Sequence, residues 1–211
     1  MNGNIRRLKE LPCISIILVA LNVIIFLICT FTGRLLYNIG EFGPAVFLDD
    51  NEFYRIIFSM FLHADISHLV NNMLLLAGLG AMLEKETGHV VFFLLYIFSG
   101  LGGQVFSLLY KMYNNEWYVT SIGASGAVFG MVGVLLAMSL CLRGGMENVT
   151  WQRIVFVVAY SVYSGAKASN IDNAAHIGGV IVGFILGIIM CFFQNMHNNR
   201  RNRNIYRNGW E

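Results

Sequence analysis

Six continuous apolar runs, near residues 13–31, 68–83, 90–110, 123–142, 153–163 and 174–193, are separated by stretches that hold nearly all the charged side chains. The runs lack the in-and-out alternation of a barrel strand, so they predict helices, and most approach the roughly 20 residues that a bilayer-spanning helix needs. The second and fifth are short or polar at one end. The first is longer than the apolar core of a signal peptide and has no small-residue cleavage site, which predicts a retained helix. The longest interval, 33–67, mixes charges such as Glu41, Asp49, Glu52 and Arg55 with the apolar stretch 53–62, so it is expected to lie partly in the membrane interface.

Composition sharpens this picture. With 211 residues, 56% hydrophobic and 12% charged, at a mean hydropathy of +0.62, the chain is too apolar for an ordinary soluble domain. It reads as an all-α membrane protein with a cytoplasmic segment at 1–12, a six-helix membrane domain at 13–193 and a basic tail at 194–211. There is no internal repeat and no nucleic-acid partner is expected. Cys13, Cys29, Cys141 and Cys191 stand singly, without CxxC spacing, as packing residues. With six spans, ten Lys and Arg residues, among them Arg6, Arg7, Lys85, Arg143 and Arg200, fall on one side. The other holds only Arg34, Arg55, Lys111 and Lys167, which predicts both termini in the cytoplasm. The Arg-rich and Asn-rich tail suits a solvated end that can touch anionic lipid headgroups.

Polar residues inside the apolar runs carry the chemistry, because lipid makes them costly. Ser125 lies in Gly123-Ala124-Ser125-Gly126 and 18 residues before Arg143; His176 lies 18 residues before Gln194; His68 lies 16 before Glu84. At about 1.5 Å per residue all three stand roughly 24–27 Å above the inner border, a few ångströms below the outer surface of a layer about 30 Å thick. Gly126, Gly130, Gly133 and Ala137 form a small-residue stripe on one helix, and Gly179, Gly183 and Gly187 form another beyond His176. Such stripes allow close approach in membranes.

A serine hydroxyl needs a base, and neutral imidazole is the usual one, so Ser125 and His176 fit a nucleophile and general base. Ser125 is expected at a helix N-terminus, where free N–H groups point outward, and His68 and Asn72, four apart, can add donors for an oxyanion. Asp172 reads as the N-cap of the His176 helix rather than an orienting acid, which makes the constellation a dyad. Phe129, one turn below Ser125, is placed to pack on the His176 ring. Each feature alone has a plainer reading: a small-Ser-small packing surface, an interhelical histidine, a His68–Asn72 bridge, and His63 with Asp65 on a surface loop. Three imidazoles, His63, His68 and His176, could also bind zinc, although their spacing is no known zinc pattern.

Taken together these residues resemble the rhomboid family of intramembrane serine proteases, over about 51–193. Gly123 to Gly126 match its Gly-x-Ser-Gly motif, and Ala175 to Gly183 match Ala-His-x-Gly-Gly-x-x-x-Gly. His63, His68 and Asn72 match its His-x-x-x-x-His-x-x-x-Asn pattern, and Glu84 and Gly88 fall where the family has a glutamate and a glycine. Tyr54-Arg55 replaces a frequent Trp-Arg, and Phe129 a frequent Tyr. The resemblance implies a six-transmembrane-helix bundle in the cell membrane, with its active site near the outer face. It implies Ser125 as nucleophile, His176 as base, and His68, Asn72 and the Ser125 N–H at the oxyanion. The reaction it implies is hydrolysis, in or beside transmembrane segments of other proteins, without metal, nucleotide or organic cofactor. A rhomboid-like protein that binds membrane clients without cleaving them is the alternative reading. A small transporter is a further one, against which no inverted repeat is found.

Overall fold

Lipid offers no hydrogen bonds, so a chain this apolar must satisfy its backbone within its own helices. The structure, a computed structural model, describes residues 11–141 and 171–208, with Gln152 and Phe156 between them and side chains to Phe193 in the last helix. Its helices are α1 (Cys13–Thr32), α2 (Leu35–Gly40), α3 (Arg55–Phe58), α4 (Ile66–Thr87), α5 (His89–Tyr113), α6 (Ser125–Cys141) and α7 (Asn173–Asn208). The chain winds wider at Ala45–Asp49 and, within α4, at Leu76–Gly80. Helices α1, α4, α5 and the Asn173–Phe193 part of α7 are long and apolar enough to cross a membrane. The protein is thus a multi-pass helical membrane protein. The apolar run at 153–163 lies outside the described residues.

Helix α6 differs from its neighbours. Its 17 residues reach only about 26 Å, and most of them are buried, including Val128, Met131, Leu135 and Met138. It is apolar all round, as befits a helix enclosed by protein. Lipid-facing side chains come instead from outer helices: Ile16, Ile24 and Phe31 of α1 and Leu94 and Phe98 of α5 are exposed.

Close packing around α6 rests on glycine. A Cβ at Gly179 of α7 would stand 2.1 Å from the carbonyl oxygen of Gly126, and one at Gly183 would stand 2.0 Å from that of Gly130. In return, a Cβ at Gly133 of α6 would meet the Val180 oxygen at 2.2 Å. The two predicted stripes therefore face each other, backbone against backbone. Between α5 and α7, Gly103 abuts the Ala175 oxygen, with only 2.7 Å left for a Cβ.

Two polar hubs complete the frame. The start of α1 follows Pro12 and has no side-chain cap of its own. Its orphan N–H groups on Ile14 and Ser15 both donate to the carboxylate of Glu84, at 2.8 Å, and the Ser15 hydroxyl adds a bond of 2.6 Å. An acceptor from another helix thus caps α1 at its positive end. At the opposite end of the bundle, buried Arg55 pairs with Glu52 and donates to the carbonyls of Asn38 at 2.7 Å and Glu41 at 3.3 Å, tying α2 to α3. Phe42 and Ser121 exchange backbone hydrogen bonds, and Trp117 Nε1 donates to Asp49 at 2.8 Å, so the 33–65 segment is fastened to the loop before α6. Phe53, Tyr54 and Ile57 remain exposed on this segment, in keeping with an interfacial position.

Two stability outcomes follow from this packing, both read as unfolding midpoints in detergent micelles. Gly179→Ala should cost about 1–3 kcal/mol through overpacking, whereas Gly78→Ala, whose Cβ meets nothing within 4 Å, should be neutral or stabilising by up to about 1 kcal/mol. Glu84→Ala should cost about 1–3 kcal/mol, because it orphans buried donors at the start of α1.

Candidate active site

Three helices, α4, α6 and α7, begin at the same end of the bundle, and each carries one of the chemically distinctive side chains in its first turns. Ser125 is the first residue of α6. The chain enters this helix through Gly123, whose φ of +123° is a conformation that residues with a Cβ rarely adopt. The Gly123 N–H donates to the Ser59 carbonyl at 2.9 Å, which anchors the turn. The first N–H groups of α6 have no intrahelical partner and stand at its positive end.

Gly123 is also where α4 meets this turn. A Cβ there would lie 2.8 Å from His68 Nε2 and 3.7 Å from Asn72 Nδ2, so both side chains rest against the loop that presents Ser125. Asn72 is buried and its Nδ2 has no protein partner. The start of α4 is set by Asp65, whose carboxylate accepts from the His68 N–H at 2.8 Å and the Ser67 hydroxyl at 2.6 Å. These two bonds, the hydroxyl's foremost, hold the exposed Asp65 carboxyl below its ordinary range. His63 does not follow the plainer surface-loop reading. It is fully buried, its ring edge lies against His68 with centroids 5.0 Å apart, and its carbonyl accepts from the Tyr37 hydroxyl.

His176 is the fourth residue of α7, and its N–H donates to the Asp172 carbonyl at 3.2 Å. Its imidazole stacks on Phe129, with centroids 4.1 Å apart and planes 11° from parallel. Phe129 lies one turn from Ser125 on the same face of α6. Gly179, three residues beyond His176, is pressed against Gly126, the neighbour of Ser125. The common depth that residue counting predicts thus corresponds to direct contacts: α4 with the Ser125 turn, and the His176 ring with the Ser125 helix.

Beside Ser125 is a small cavity whose lining includes Met60, Gly100, Gln104, Ser121 and Asp172. Gln104 donates to the Ser59 hydroxyl at 3.0 Å, while its Oε1 has no protein partner. Sequence reasoning passed over Gln104, although an amide within the apolar run 90–110 is itself a signal. It also counted Lys111 and Arg55 as outer-side charges, and both are buried. Asp172 does cap α7, accepting from the Ala175 N–H at 2.9 Å, and it does more. Its other oxygen accepts from the hydroxyls of Ser107 and Ser121 and lies 3.3 Å from Lys111 Nζ.

The Rhomboid domain profile matches residues 50–193, which contain Ser125, His176, His68 and Asn72. RHOMBOID-like protein 1 of Arabidopsis thaliana is 34% identical over 173 residues, covering 79% of this chain and 43% of the relative. RHOMBOID-like protein 4 of the same plant is 37% identical over 157 residues, covering 74% and 38%. The rhomboid protease GluP of Bacillus subtilis (strain 168) is 30% identical over 178 residues, covering 82% and 34%. The chain spans between a third and a half of the length of these relatives. With the domain matched across more than half its residues, and with the turn and the glycine contacts described above, this chain belongs to the rhomboid family.

Proposed function

We propose that this chain is an intramembrane serine endopeptidase that hydrolyses peptide bonds in or next to transmembrane segments of other membrane proteins. One observation carries the reading: the His176 imidazole lies flat on Phe129, one turn from Ser125, at the end of α6 where His68 and Asn72 meet the serine's own turn. The name of the Bacillus relative, a rhomboid protease, agrees in kind.

In this reading His176 takes the Ser125 proton as Oγ bonds to the scissile carbonyl carbon, and the carbonyl electron pair moves to oxygen. The Ser125 N–H, at the positive end of α6, and the side chains of His68 and Asn72 stabilise that oxyanion; donors of this kind are worth about 10²- to 10³-fold each. The imidazolium then gives its proton to the leaving nitrogen as the C–N bond breaks. Water completes the cycle by hydrolysing the acyl-enzyme, and the polar cavity beside Ser125, with the free acceptor on Gln104, is a place to hold it. A short α6 that starts below the outer surface leaves room for that water. The same reading takes the membrane domain as a six-helix bundle. It sets both termini in the cytoplasm of a cell-membrane protein and opens the site near the outer face.

Purified protein incubated with a panel of single-span substrates tests the reading. The parent should cleave at least one of them, and Ser125→Ala and His176→Ala, shown to be folded, should each lose activity by a factor on the order of 10³ or more. Equal cleavage by Ser125→Ala would end the assignment.

A further inference from the structure

The mechanism above makes no use of a buried ionic cluster that stands one turn ahead of its base. Lys111 of α5 is 5% exposed, within a membrane-spanning helix, where an isolated ammonium is costly. It is not isolated. Its Nζ lies 3.3 Å from the Asp172 carboxylate and also donates to the Ser121 hydroxyl, while Ser107 and Ser121 both donate to the same carboxylate oxygen. Burial alone would push the Asp172 carboxyl up, but these hydroxyls, with the Lys111 ammonium and the Ala175 N–H, outweigh it and hold the group below its ordinary range. The group is therefore an anion held in one orientation by three elements: α5, the loop before α6, and α7.

Its position gives this anion a direct bearing on His176. Asp172 is the N-cap of α7: its carbonyl accepts from the His176 N–H and its carboxylate from the Ala175 N–H. Residues four apart on such a turn have Cβ atoms about 5–6 Å apart. A nearby opposite charge favours the charged form of a group, here reduced by the Lys111 ammonium on the same carboxylate. From the other packed elements, α6 presents Phe129 to the imidazole, and α4 brings His68 to the same end of the bundle.

We propose that Asp172, clamped by Lys111, Ser107 and Ser121, is a positioning residue that holds the start of α7 in place and supports the imidazolium that His176 becomes when it takes the Ser125 proton. The proposal rests on the peptidase reading above. It gives the dyad a carboxylate that acts along the helix rather than through a hydrogen bond to the ring.

Kinetics of the full chain in proteoliposomes, with a substrate that the parent cleaves, decide it. The variants are Asp172→Asn, Asp172→Glu and, as the blank, Ser125→Ala. Asparagine is isosteric and caps helices as well as aspartate does, so a role as helix cap alone ranks Asn above Glu. The proposal ranks them the other way. Asp172→Asn should lower kcat about 10-fold with KM within about twofold of the parent, and Asp172→Glu, which keeps the charge, should lose less. An Asn variant with kcat within about twofold of the parent, or one faster than Glu, would overturn the proposal and leave the dyad intact. A parent no faster than Ser125→Ala would overturn both. If the Asn chain does not fold, Asp172→Ser takes its place, since it keeps the cap and loses the charge.

Discussion

Backbone contact between α6 and α7 is the constraint from which the site follows. Lipid tails are as apolar as leucine, so helices gain little from hiding such side chains from them, and association relies on close van der Waals packing. Here Gly179 and Gly183 of α7 leave no space for a Cβ against the carbonyls of Gly126 and Gly130. Because Gly126 adjoins Ser125 and Gly179 lies one turn beyond His176, the contact that binds the helices also brings the first turns of α6 and α7, which carry Ser125 and His176, to one level. The stack of His176 on Phe129 then settles the tilt of the ring.

Polar side chains inside apolar helices are costly in lipid, and the fold gathers several of them at one end. Helices α4, α6 and α7 all begin there, so their positive dipole ends converge, with Asp65 capping α4 and Asp172 capping α7. Several buried polar groups there pair between elements: Lys111 with Asp172, Gln104 with Ser59, and Arg55 with the Asn38 and Glu41 carbonyls. Glu84 does the same at the other end, where it caps a helix in place of solvent.

What the sequence made legible, and what it did not, divides along the same line. Helices α1, α4, α5 and α6 begin and end within a few residues of their apolar runs, because continuous hydropathy has one reading in lipid. Helix α7 starts where expected and then continues to Asn208. Hydropathy marks where lipid ends, not where a helix ends, and no glycine or proline interrupts the chain between Gly187 and Gly209. Ser125, His68 and His176 were visible as polar residues at one depth, Asn72 by its spacing of four from His68, and the Phe129 stack followed from helical spacing. The 33–65 segment was not legible, since its shape depends on partners such as Glu41 and Thr120, 79 residues apart. Asp172 was legible only as a cap, because nothing local to it points to Lys111 or Ser107 on another helix.

Chemical labelling reads the central claim, that the α6–α7 contact makes Ser125 a nucleophile activated by His176. A fluorophosphonate probe reacted with the purified chain, followed by mass spectrometry of the digested protein, reports which hydroxyl is attacked. The account predicts an adduct on Ser125 that disappears in folded His176→Ala protein. Labelling of Ser125 at the same rate without His176, or none under conditions that label a control serine hydrolase, would contradict it.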